Sequence, residues 1–479
     1  MTAPDPQSLL DSLDDEQRAA ASALGRPVAV IAGPGTGKTR VIVCRLAYGS
    51  AAGEIDPAAT LAVTFTTRAA AELRSRLAGL AAGAVQARTF HSAALAQAQF
   101  FWPLVYGAAL PRVADSSVRL FEEVLPRFGL GASPALAREL AQAVAWTKQT
   151  NVVPEDYVRR AEEAGRSVAG LSGEQVADLL IEYERVKQDH GLIDLDDILL
   201  CAAAVLEDSE EASRLFARRY RHLVVDEFQD VSPIQSRLVE LWRPRRDVCV
   251  VGDPAQTIHG FAGARSDYLT GFAAAHRGVL SVTLSNNYRS TPQIVAAANT
   301  VLRGHGGVAL TARAPAGPPV SWSEEPDEAT EAAGAAVWLA GLAAAGLPWS
   351  AMAVLYRSHA QAVAIAQALG QRSIPVRVLR PSDAEAAEEA GRAAVEAVTC
   401  CTLHAAKGRE WDAVALVGVQ EGTLPHGRAL GVAALAEERR LLYVGLTRAR
   451  RHLLVSWARW SGYGGRAGPS RFLVEAGLA

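Results

Sequence analysis

Eight residues, Ala32-Gly33-Pro34-Gly35-Thr36-Gly37-Lys38-Thr39, follow a short apolar run and precede a helical pattern that starts at Arg40. Glycines at alternate positions let backbone N–H groups turn toward a phosphate, and the start of a helix adds the positive end of its dipole. In that setting Lys38 reaches the outer phosphates of a nucleoside triphosphate and Thr39 holds Mg²⁺. Ala32 stands where the pattern usually has its first glycine. A second chemical pair lies far downstream, where the run Leu223-Val224-Val225 ends in Asp226-Glu227. Two acids after a strand are also what a solvated strand end looks like. Beside a phosphate loop they read as an Mg²⁺ ligand, Asp226, and as the base that orients and deprotonates water, Glu227. Arg289, in Asn287-Tyr288-Arg289-Ser290, and Arg448, in Thr447-Arg448-Ala449, are candidate fingers for the charge on a transferring phosphoryl group. On spacing alone either is equally a surface arginine.

These residues need strand ends and helix starts to hold them. Short apolar runs at 28–31, 61–65, 223–225, 248–251, 282–284, 353–356 and 413–419 alternate with helical stretches. That alternation predicts an α/β protein with largely parallel sheets, whose functional loops leave the strand ends. Between 91 and 195 the periodicity turns helical, the texture of an all-helical insertion. The Gly- and Pro-rich stretch 304–319 reads as a loop. Residues 332–356 carry no charge over a membrane-like length, but glycines and Leu347-Pro348-Trp349-Ser350 interrupt them, which predicts a buried helix followed by a buried strand.

The 479 residues suggest about three domains. Their 49% apolar and 21% charged content excludes collagen-like and disordered chains. A net charge of −3 argues against nucleic-acid binding by bulk positive charge and leaves room for a local basic groove. Four lysines stand against 44 arginines, so each lysine is a candidate for a role that a guanidinium cannot fill. Five scattered cysteines without CxxC spacing fit a reduced cytoplasm. No secretory signal is visible over 1–17.

In this order the motifs resemble the UvrD/Rep/PcrA family of superfamily 1 DNA helicases. They are Leu13-Asp14-Asp15-Glu16-Gln17, the phosphate loop, Thr64-Phe65-Thr66-Thr67-Arg68, Thr89-Phe90-His91, Asp226-Glu227-Phe228-Gln229-Asp230, Gly252-Asp253-Pro254-Ala255-Gln256, Asn287-Tyr288-Arg289-Ser290, Thr402-Leu403-His404-Ala405-Ala406-Lys407-Gly408 and Thr447-Arg448-Ala449. The texture is most similar to the second UvrD-type helicases of actinobacteria. The resemblance implies two RecA-like P-loop motor domains, 1A over 1–91 and 196–279 and 2A over 280–479, with a helical insertion, 1B, over 92–195. It implies ATP and Mg²⁺ as cofactors. Gln17 would read the adenine edge, with Arg40 nearby and Tyr288 stacked on the base, and Glu410 would contact the ribose. Gly33, Gly35, Thr36, Gly37 and Lys38 would cradle phosphates, Gln256 would sense the γ-phosphate, and Arg289 and Arg448 would be fingers from the second motor domain.

For DNA the resemblance implies Phe65, Phe90, His91, His259 and Phe261 as strand contacts, with a core side chain the alternative for each, and Arg357 and Thr402 as phosphate contacts. His259 replaces a usual Tyr, Ala262 a usual Arg and His359 a usual Asn, each a weakened contact. A duplex-splitting pin falls in a glycine-rich hairpin over 459–466, with Tyr463 the first choice and Trp460 the second. The family's 2B domain is replaced by a short segment at 381–397, and after 472 there is no room for a C-terminal nucleic-acid module. The implied activity is 3′ to 5′ movement on single-stranded DNA and unwinding of tailed duplex by a soluble monomer, in repair or replication-fork processing. Alternatives are a single-strand-stimulated ATPase that needs a protein partner to compensate for 2B, and a non-hydrolysing DNA-binding regulator.

Overall fold

The computed structural model describes residues 6–479 apart from 81, 132, 244–246, 380–395, 430 and 462–464. Residues 381–395 of the segment expected to replace 2B, and Tyr463, therefore lie outside the described residues. The chain divides into two compact units: Met1–Val30, Thr39–Gly252 and His259–Val282 form the first, and Ile31–Lys38, Asp253–Ile258 and Thr283–Ala479 the second.

Strands buried on both faces must be apolar along their whole length, and the predicted runs become such strands. The first eight are β1 (Val28–Ala32), β2 (Thr60–Thr64), β3 (Gln86–Thr89), β4 (Arg112–Val113), β5 (Leu192–Ile193), β6 (His222–Val225), β7 (Val248–Gly252) and β8 (Leu280–Leu284). Six of them form one sheet in the order β3-β2-β6-β7-β1-β8, with β3, β2, β6 and β7 paired in parallel. In the first unit Val225, Val250, Phe90, Leu238 and Trp242 share one core.

The helical stretch expected over 92–195 divides in two. Helix Phe90–Tyr106, capped at Thr89, sends Ala93, Ala94, Ala98 and Phe101 into the sheet's core, and Asp197–Asp208 packs there as well. A separate core, with Phe121, Leu140, Val144, Tyr183 and Val186, belongs to the helices between β4 and β5. Those two short strands pair in parallel at its base.

The second unit continues with β9 (Asn286–Asn287), β10 (Thr311–Ala312), β11 (Ser321–Asp327), β12 (Met352–Tyr356), β13 (Val376–Val378), β14 (Val398–Thr402), β15 (Trp411–Leu416), β16 (Ala449–Ser461) and β17 (Gly465–Arg466). Its main sheet runs β11-β16-β15-β12-β14-β13 with parallel pairing throughout. Alternate residues of β12 point to opposite faces, as the strand period requires. Ala353 and Leu355 join the core under helix Val432–Leu446, whereas Met352, Val354 and Tyr356 join the core under helix Glu328–Ala344. That helix and β12 account for the uncharged stretch 332–356. Among the described residues no helix is long and apolar enough to cross a membrane. β10 lies inside the stretch expected to be loop, and β17 turns back antiparallel on the end of β16 as the glycine-rich hairpin predicts.

Candidate nucleotide site and strand-binding surface

The phosphate-loop sequence leaves β1 and enters helix Lys38–Ala51. Gly35 and Gly37 have φ of 71° and 86°, the left-handed region that favours glycine. A Cβ on Gly35 would lie 2.7 Å from both Arg289 Cβ and Asn287 Nδ2, and one on Gly33 would run into Leu310. The buried Thr36 donates its hydroxyl to the Gly33 carbonyl at 2.8 Å. Lys38 Nζ donates to the carbonyls of Ala32 (3.2 Å) and Gly33 (3.3 Å).

Other parts of the second unit latch this loop. Asn287 Nδ2 donates to the Pro34 carbonyl at 2.7 Å, and the Tyr288 N–H donates to the Gly35 carbonyl at 2.9 Å. Tyr288 is 49% exposed. Asn287 Oδ1 accepts from the N–H groups of Arg289 and Ser290, which fixes the turn that carries Arg289. The Arg289 guanidinium pairs with Glu410, and Arg450 Nη2 donates to the same carboxylate at 2.6 Å. Burial pushes the Glu410 carboxyl up, but Arg289 and Arg450 outweigh it and hold its pKa below the usual value.

Gln256 is held from three sides. Its Nε2 donates to Asp253 Oδ2 at 2.7 Å, its Oε1 accepts from Arg448 Nη2 at 3.3 Å, and its carbonyl accepts from Lys407 Nζ at 2.6 Å. Arg448 is buried, and it also donates to the carbonyls of Val444 and Arg409. The second unit thus brings together Lys38, Gln256, Arg289, Arg448, Tyr288 and Glu410. Asn287 and Asp253 carry as much of this geometry, yet sequence reasoning gave them no role. The signal available was their place beside Arg289 and Gln256 in the same motifs.

The first unit holds the remaining nucleotide-site candidates. Thr39 follows Lys38 in the first turn of its helix, and Arg40 Nη2 donates to the Ser12 carbonyl at 2.6 Å. Gln17 is buried in a capping box with Asp14, at the start of helix Asp15–Ser22. Asp226 directly follows β6, and its Oδ1 accepts from the Glu227 N–H at 2.9 Å. Glu227 has φ of 53°, a conformation that a side chain occupies at a cost. Its Oε2 accepts from Gln229 Nε2 at 2.7 Å, and Gln229 also donates to Asp230.

The proposed strand contacts divide by exposure. Phe261 is 57% exposed, edge-on to His259 at 5.7 Å between ring centres. Phe65 is half-buried, and the His91 side chain is 30% exposed. Phe90 is corrected here: at 1% exposure it sits edge-on to Phe65 and stacked with Trp242, so it is a core side chain and offers no face to a base. Its position as the first residue of a helix that packs under the sheet turns the ring inward.

In the second unit Arg357 forms a forked pair with Glu438, with Nη2 to Oε1 at 2.7 Å. The buried Thr402 hydroxyl accepts from the Ala405 N–H. Burial first, and then Arg357 nearby, push the His404 imidazole down to about 4, so it is neutral at pH 7. Arg357, Thr423, His426, Arg428 and Arg466 line a cavity of about 710 Å³. Trp460, 59% exposed, lies opposite Arg466 at the end of β16.

Comparison with known proteins adds the lineage. The family model for the UvrD/REP helicase N-terminal domain matches residues 13–276, and that for the UvrD-like helicase C-terminal domain matches 282–383 and 377–460. The chain is 38% identical to "ATP-dependent DNA helicase UvrD2" of Mycobacterium tuberculosis, covering 97% of this chain and 81% of the relative in an alignment of 571 residues. It is 32% identical to "ATP-dependent DNA helicase UvrD1" of the same species, over 78% of this chain and 50% of the relative. To "DNA helicase II" of Escherichia coli it is 30% identical, over 78% of this chain and 52% of the relative.

Proposed function

Because the chain belongs to the UvrD/REP helicase family, we propose that it is a motor that steps 3′ to 5′ along single-stranded DNA and opens tailed duplexes, in DNA repair or replication-fork processing. It is an ATP-driven DNA helicase, with α/β motor domains of the RecA-like kind. The boundaries given above for 1A, 1B and 2A, monomeric action and a cytoplasmic setting belong to the proposal.

The observation that carries the reading is the hold on Gln256, the proposed γ-phosphate sensor, by Arg448 at its side chain and Lys407 at its carbonyl. A sensor wired to two cations answers a change in phosphate charge by releasing or recruiting them, which is how hydrolysis becomes movement. Lys38 now spends its donors on two neutral carbonyls, for which phosphate oxygens are stronger substitutes. Arg289 would leave Glu410 for the transferring phosphoryl group in the same way. Gln229 holds the Glu227 carboxylate in place to orient water and take its proton. The Thr39 hydroxyl and the Asp226 carboxylate are hard oxygen donors of the kind Mg²⁺ takes, and they would hold it. Bound there, Mg²⁺ neutralises charge on the outer phosphates.

A second reading, a translocase that needs a protein partner to unwind, has its own support. The C-terminal family model matches in two pieces that meet at 377–383, and the 571-residue alignment is longer than the whole chain. Both fit the loss of 2B near 381–397. Unwinding of a 3′-tailed duplex by the isolated chain, with ATPase measured in parallel, separates the two readings. Product from the tailed duplex supports the autonomous helicase, and ATPase without product supports the partner-dependent motor. Lys38→Ala abolishes turnover, and Glu227→Gln binds ATP without hydrolysing it; near-normal turnover in either overturns the site assignment.

A further inference from the structure

We propose that Gln149 is a positioning residue that couples the segment bearing Glu227 to the strand-facing residues His91 and Phe261. The inference rests on the motor reading above and adds a path inside the first unit. Helix Pro134–Gln149 of the insertion ends at Gln149, whose amide is engaged on both sides. Its Oε1 accepts from Ser232 Oγ at 2.6 Å, and its Nε2 donates to Asp196 Oδ1 at 2.6 Å. Ser232 is the N-cap of helix Pro233–Trp242 and begins it with a capping box, so its position sets where the segment after Glu227 ends. Only the short turn Phe228–Asp230 and Val231 lie between them.

On the other side, Asp196 Oδ1 lies 3.9 Å from His91 Nε2, a buried nitrogen with no hydrogen-bond partner among the described residues. The relay is therefore closed at Ser232 and open by one step at His91. The next residue along, Thr150, packs under Gly263, where a Cβ would lie 2.9 Å from Thr150 Cγ2. Gly263 closes the loop that carries Phe261, and Arg166 of the insertion donates to the Phe261 carbonyl at 2.7 Å. One helix end thus touches the segment after Glu227, the turn facing His91 and the loop of Phe261. Lys148, the preceding residue, anchors that end through Asp197 at 2.7 Å. A strand that shifts His91 toward Asp196 changes what the shared carboxylate offers Gln149, and through Ser232 the change reaches the hydrolytic segment.

The test uses the full chain with an oligo-dT strand, measuring ATP turnover, KM for ATP and strand affinity by fluorescence anisotropy. Gln149→Ala removes two hydrogen bonds, so turnover at saturating strand falls about fivefold to thirtyfold, the size of one to both of them, while KM and strand affinity stay within about twofold. The paired exchange Gln149→Glu with Asp196→Asn reverses donor and acceptor across the 2.6 Å contact and recovers at least half of the loss. A merely structural role predicts instead that turnover and affinity fall while KM rises and that the pair recovers nothing; either result overturns the relay. Wild-type turnover that ignores the strand overturns the motor reading, and the relay with it, whereas a stimulated wild type matched by Gln149→Ala overturns the relay alone.

Discussion

Replacing Lys187 by methionine tests whether the insertion is held to the rest of its unit by buried charge. Lys187 Nζ lies 2.6 Å from Glu184, 2.5 Å from Asp197 and 3.4 Å from Asp194. Lys148 Nζ lies 2.9 Å from Glu184 and 2.7 Å from Asp197, and it also pairs with Asp194. Two ammonium groups therefore face three carboxylates, and Lys187→Met leaves one ammonium among them. Burial alone pushes the Asp194 carboxyl up; Lys148 and Lys187 outweigh it and hold its pKa at about 2. Against the ordinary 3.8, at about 1.36 kcal/mol per tenfold change in proton affinity, that is on the order of 2 kcal/mol. Because the folded pKa is depressed, this stability is fully present above about pH 4 and is lost as pH falls through about 2. Removing one partner from a buried network costs about 3–5 kcal/mol, so the variant should lose that much at pH 7. The loss should shrink toward pH 4.5, because the under-compensated carboxylates then take up a proton. Urea unfolding at both pH values, with hydrogen exchange read on helices Pro134–Gln149 and Gly173–Asp189, measures it. A loss below about 1 kcal/mol at pH 7, the worth of a surface pair, or an equal loss at both pH values refutes the reasoning.

Phe90→Ala costs about 3–5 kcal/mol in urea unfolding and leaves strand affinity per folded molecule unchanged. Phe261→Ala does the reverse, raising the strand concentration needed for half-maximal ATPase with little change in unfolding. Gly35→Ala forces a side chain into the left-handed region, at about 1–2 kcal/mol, and against Arg289 and Asn287. A fluorescent ATP analogue should bind it at least about tenfold more weakly, since lost loop geometry removes several phosphate contacts at once; unchanged affinity removes Gly35 from the cradle.

Much of this was legible because its causes are local. A phosphate loop needs glycines where φ is positive, and Gly35 and Gly37 declare it. Parallel strands covered on both faces need unbroken apolar runs, and β1, β7 and β12 are such runs. What stayed hidden depends on long-range packing. Gln86-Ala87-Arg88-Thr89 alternates polar and apolar residues like an edge strand or a loop, and only its pairing with β2 makes it β3. The thirteen residues of β16 are absent from the apolar runs because Arg, His, Ser and Trp interrupt the pattern, and only pairing with β15 and β11 makes them one strand. Phe65 and Phe90 look alike as aromatics after a threonine, and a helix start alone decides which ring turns inward. The scarcity of lysine pointed at Lys148 and Lys187, but nothing in the spacing revealed that both meet the carboxylates at 194 and 197.

β16 begins immediately after Arg448 and carries Trp460 near its far end, about 40 Å away at 3.3 Å per residue. β15 braces its first half and β11 its second; the register shifts once, at Arg450–Arg451, and then holds from His452 to Trp460. Such a strand behaves as a stiff beam. A displacement that enters at His452 reaches the tryptophan end undivided, and the bulge at Arg450–Arg451 is the place where the arginine end can give first.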